Sequence, residues 1–141
     1  VAEEKLPMGI EIDEANLAKE LAQHSAKLVF VAEQAVGAQL AHDEFKLKVK
    51  ELYALIDRDT RLLAETDGKK LTEKMVENAI MLNEDYKKAS RHLLKLQANA
   101  DILKYRKEAW RERGSMLVQL STNRRAEMEA MTFDTVREKA A

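Results

Sequence analysis

Between Leu21 and Leu63 one pattern repeats without a slip. Leu21, Leu28, Ala35, His42, Val49, Ile56 and Leu63 form one set. His24, Val31, Ala38, Phe45, Leu52 and Asp59 form the other, and the two alternate in steps of three and four. That is a heptad repeat, the spacing that keeps one stripe of a helix facing a partner helix. No proline falls inside it. A helix of about 50 residues would be roughly 75 Å long at about 1.5 Å per residue, too long for a compact monomer of this size. A second apolar set, Val29, Val36, Leu40 and Leu47, points away from the first. A helix that is apolar on two sides needs two neighbours.

The rest of the chain supplies one of them. Pro7 and Gly9 mark an irregular N-terminal tail over residues 1–13, and Asp13 caps a helix that starts near residue 14. Gly68, in "TDGKK", stops that helix. Thr72 caps a short helix with Met75, Val76, Ala79, Ile80 and Leu82 on its apolar side. Asn83 caps a third helix that runs from about residue 84 to about residue 130, with Gly114 as the site of a kink. The expected fold is all-α: a long helical hairpin over residues 14–131, two long helices joined by a turn and a short helix, followed by a C-terminal tail at 132–141. The second neighbour of the first helix is another copy of the chain. The expected oligomer interface is the coiled-coil-like seam at Leu28, Val31, Ala35, Ala38, Phe45, Val49 and Leu52, where Ala35 and Ala38 permit close approach.

Composition removes several function classes. One proline, four glycines and 35% charged residues fit a helical protein. The chain has no cysteine, which excludes disulfides and thiolate metal sites. No apolar run approaches the length of a membrane span, and the acidic start "VAEEKLPMGIEIDEAN" does not read as a secretory signal. A cytoplasmic protein is expected. His24 and His42 fall on the seam, where a histidine is more often a hydrogen-bonded packing residue than a ligand. Glu-x-x-His pairs, phosphate-binding glycine loops, nucleophile elbows and calcium loops are all missing from the sequence. No catalytic residue, metal or cofactor is expected, and the chain does not read as an enzyme.

Charge is segregated. Residues 1–86 carry 11 Lys and Arg against 18 Asp and Glu, whereas residues 87–125 carry 11 against three. On a wheel of about 100° per residue, Lys88, Arg91, Lys95, Arg106, Arg113 and Arg124 fall within roughly 60° of arc. Leu96, Leu103, Trp110, Gly114 and Leu117 form a packing stripe beside them. Two readings fit such a row. The cations pair with acids of a neighbouring helix, such as Glu33, Glu44, Glu51 and Asp57, at about 0–1 kcal/mol each. Alternatively, the arginines track phosphates, giving salt-dependent and sequence-tolerant binding, with Tyr105 available for base stacking.

The order of parts is a long first helix, the turn "ETDGKK", a short helix, the cap "MLNEDYKK" and a last helix with "RERGSMLVQLSTNRRAE". This layout resembles phage recombination-mediator proteins of the UvsY type, over roughly residues 15–130. The resemblance implies a non-enzymatic, all-helical protein that assembles into a ring and binds single-stranded DNA. It also implies a RecA-like recombinase as partner, loaded onto strands covered by single-strand-binding protein in the cytoplasm of the host cell. Lys69 and Lys70, in the turn, are then further candidate DNA contacts. The competing reading is a phage-type structural or scaffolding coiled-coil protein whose basic row serves assembly alone. Both readings predict an obligate homo-oligomer. Light scattering coupled to size exclusion should report a mass several times that of one chain, and a compact monomer at micromolar concentration would contradict both.

Overall fold

A computed structural model describes residues 9–141. Its elements are a 3-10 turn (Glu14–Asn16), α1 (Leu17–Thr66), α2 (Glu73–Leu82) and α3 (Glu84–Ala140), with no strand among the described residues. Each boundary has a local cause. The Asp13 carboxylate accepts from Ala15 N–H and opens the first turn. Gly68, at φ +66°, ends α1 in the left-handed conformation, and Lys69 N–H donates back to the Ala64 carbonyl. Thr72 Oγ1 accepts from Met75 N–H and caps α2. Asn83 closes α2 through its own N–H to the Ile80 carbonyl, and its side chain accepts from Asp85 and Tyr86 N–H to open α3. α3 then runs through Gly114 to Ala140, beyond the expected end near 130, so 132–141 is almost wholly helical.

Contacts divide the described residues into two compact units: 9–33 with Lys104–Ala141, and Gln34–Leu103. In the mid-chain unit the α1 and α3 segments pack antiparallel. Phe45 meets His92 edge-on at 4.6 Å between ring centroids, and Tyr53 meets Tyr86 at 5.9 Å. α2 contributes Val76 and Ile80, both fully buried. Arg61 fixes the start of α2 by a two-pronged contact with Glu73, at 3.1 and 2.7 Å, which holds the Glu73 carboxyl below its ordinary range. In the terminal unit α1 and α3 again pack antiparallel, burying Leu17, Val31, Trp110 and Leu117. From Thr122 onward every residue is exposed.

The α1 seam is spent inside the chain. Val31, Ala35, Ala38 and Val49 are buried, and Leu28, Phe45 and Leu52 are half-buried, without any second copy. These are the residues expected at an oligomer interface; here the chain's own packing covers them. Val36, Leu40 and Leu47, on the opposite side, remain exposed. The seam also slips after Ile56. Leu63 is 66% exposed and Asp59 is exposed, while Thr60 is half-buried and Ala64 is 9% exposed. Two successive steps of four replace the expected three and four, which moves the buried stripe by one residue.

Burial separates structural from incidental apolar residues in α2. Ile80→Ala should cost about 2–5 kcal/mol in urea unfolding, because Ile80 is completely enclosed. Leu82→Ala, at a position 69% exposed, should shift the midpoint little.

Candidate nucleic-acid interface

α3 carries its own heptad seam. Ala89, Leu93, Leu96, Ala100, Leu103, Lys107, Trp110, Gly114, Leu117 and Ser121 follow one another in steps of four and three, and all are buried or half-buried. A stripe with a 3.5-residue period drifts from a 3.6-residue helix by about 20° per heptad. Over the roughly three heptads from Arg91 to Arg113 that amounts to about 60°. The single row of cations read from a straight wheel therefore separates into two groups. Lys88, Arg91 and Lys95 lie away from the seam and are exposed. Arg106 and Arg113 each precede a seam residue and turn inward, Arg106 half-buried and Arg113 only 3% exposed.

Arg113 is thus not part of an open cationic row. Its Nε donates to the Ile10 carbonyl at 2.9 Å, and its Nη2 donates to the Glu11 carbonyl at 2.8 Å and to the Glu20 carboxylate. The guanidinium carbon lies 5.0 Å from the centroid of the Trp110 ring, a cation–π contact. Trp110 in turn stacks on His24, with centroids 6.1 Å apart. A Cβ at Gly114 would collide with the His24 ring, so glycine serves close approach at this position rather than a kink. The sequence signal for this site is the pair Arg113-Gly114, a cation beside a glycine on a helical seam.

The other expected contacts are dispersed. Tyr105 is 69% exposed, and Lys69 and Lys70 are exposed in the turn after α1. Arg124 is exposed, but its Nη1 donates to the Glu14 carbonyl at 3.2 Å. The acids offered as partners do not take the outer cations. Asp57 pairs with Arg61, while Glu33, Glu44 and Glu51 are exposed. Among the described residues, no ion pair involves those three acids, Lys88, Arg91 or Lys95. Also among the described residues, no cluster of three or more His, Asp or Glu is placed to hold a metal ion, and no helix is long and apolar enough to cross a membrane.

The chain matches no protein family, characterised protein or solved structure.

Burial makes His24 pH-sensitive. Loss of solvent lowers its pKa from the usual 6.5; the Arg113 charge lowers it further, Lys27 adds to this, and Glu20 opposes it. The unfolded chain therefore binds a proton below about pH 6.5 that the folded chain still refuses. Stability from this residue is full above that pH and declines as pH falls towards the folded pKa. The urea midpoint should drop as pH falls below about 6.5, and His24→Gln should flatten that dependence. An NMR titration placing the His24 pKa at or above 6.5 would contradict the assignment.

Proposed function

We propose that the protein is a single-stranded-DNA-binding recombination mediator that helps to load a RecA-like recombinase onto coated strands. The observation that carries the binding half is the group Lys88, Arg91 and Lys95: exposed, on neighbouring turns of α3, and without a carboxylate partner among the described residues. Cations three and four residues apart are neighbours on a helix surface. Arg91 offers a fork to a phosphate, and the two lysines add point charges. Contacts from these groups to backbone phosphates carry no sequence information, so binding would be sequence-tolerant and steeply salt-dependent. The mediator half rests on the resemblance to UvsY-type proteins. Repeating one weak site on each copy of an oligomer gives avidity while leaving every contact separately releasable, which suits a protein that must hand its strand on.

One observation favours a second reading, a scaffolding protein. Val36, Leu40 and Leu47 form an exposed apolar row on α1, and assembly would cover it. Anisotropy titrations of labelled single strands at two salt concentrations separate the readings. Binding should weaken by about 0.7 log units per phosphate contact for each log unit of salt. The variant K88Q/R91Q/K95Q should lower that slope by about 2 while leaving helicity and oligomer mass unchanged. ATP hydrolysis by the cognate recombinase, on DNA pre-covered by single-strand-binding protein, should rise with the parent protein and not with the variant. If the variant instead dissociates the oligomer, scaffolding is the better account. Tight DNA binding without recombinase stimulation would reject the mediator role.

A further inference from the structure

The geometry points to a second phosphate-binding site, formed by Arg106, Arg113 and Arg124 on α3, whose Arg113 and Arg124 positions are occupied by the chain's own segment Ile10–Glu14. The inference rests on the DNA-binding reading above and adds a site that is masked in the free protein.

All three arginines belong to the terminal unit. Two carry buried donors, since Arg106 Nε and Arg113 Nη1 have no hydrogen-bond partner among the described residues. A buried N–H on a cation without an acceptor is costly, and a phosphate oxygen is the acceptor such a group suits best. The covering segment is a poor substitute. It offers Arg113 the carbonyls of Ile10 and Glu11, and it offers Arg124 the carbonyl of Glu14. Neutral carbonyls accept more weakly than a charged oxyanion. Its negative charge resembles that of a nucleic-acid strand: Glu11, Asp13 and Glu14 stand within four residues, all exposed.

The segment is also lightly held. Beyond those three hydrogen bonds, its anchors are Ile10 and Ile12, half-buried in a recess lined by Ala109, Met116 and Leu120. Short segments with few apolar contacts open at a small fraction of the global unfolding free energy. Once the segment lifts, Arg113 keeps Glu20 as a counter-ion and Glu112 stays at the recess. The arginine N–H donors released from the segment's carbonyls are nevertheless free to donate to a phosphate backbone. Strand and segment then exclude each other, so the segment sets a threshold: weak or short polyanions are refused, and strands held elsewhere on the oligomer displace it.

Full-chain variants test this by anisotropy with a labelled oligonucleotide. I10S/I12S removes the apolar anchors, and E11Q/D13N/E14Q leaves the anchors but removes the competing charge. Hydrogen exchange at residues 10–16 reports whether the segment is released. The released variant should bind single strands roughly tenfold more tightly at low salt, with a salt slope steeper by about 2. The charge variant should show a smaller gain. The gain should persist when K88Q/R91Q/K95Q is added and vanish when R106Q/R124Q is added. Unchanged affinity in the released variant, with the parent still binding, overturns the masked site and leaves the outer site standing. A gain that survives R106Q/R124Q overturns it too. If neither parent nor released variant binds, both sites fall.

Discussion

Apolar residues in α1 and α3 recur every 3.5 positions, on helices that turn once every 3.6. The difference is small per turn and large over a long helix. It decides which face of α3 is inside at each level. Near Arg91 the seam runs through Ala89, Leu93 and Leu96, and the cations stand clear of it. Near Arg113 the seam has moved round to Trp110, Gly114 and Leu117, and the same angular row of cations has been carried under cover. One helix thus holds two kinds of arginine. Neither composition nor net charge distinguishes them; their phase against the packing stripe does.

Enclosing the Arg113 guanidinium carries a desolvation cost of several kcal/mol, which an isolated ion pair does not reliably offset. The terminal unit meets that cost with several partners at once: the Glu20 carboxylate, two backbone carbonyls and the face of Trp110. Removing the charge alone would leave the half-buried Glu20 carboxylate without its partner. This is why Arg113 does not belong in a set of DNA-binding substitutions. A variant that neutralises it would confound loss of binding with loss of structure, whereas Lys88, Arg91 and Lys95 contribute no ion pair among the described residues.

Much of the fold was legible in the sequence because its signals are local. Asp13, Gly68, Thr72 and Asn83 mark boundaries through their own side-chain or backbone chemistry, and each acts at its expected place. What stayed hidden depended on partners distant in sequence. Periodicity shows that Val31 and Val49 need a neighbour but does not identify it, and the chain itself supplies it. The slip from Leu63 to Ala64 and the inward turn of Arg113 are likewise consequences of packing. α3 outruns the expected end near residue 130 for another reason. "TFDTVREK", residues 132–139, is rich in weak helix formers but contains neither glycine nor proline, and nothing in it stops a helix already under way. The Glu20 and His24 contacts had no signal beyond the Arg113-Gly114 pair.

Asn83 alone separates α2 from α3, and it serves both. Its backbone is extended, at ψ 128°, so the chain changes direction within a single residue. Ten residues make a helix too short to persist in water without tertiary support. α2 therefore persists as a separate helix only while Val76 and Ile80 stay enclosed and Asn83 keeps the corner bent. Straightening the corner would let the two helices join into one continuous rod, and it would pull both side chains out of the mid-chain unit. The length of α3 is accordingly limited at its start by one capping residue, Asn83.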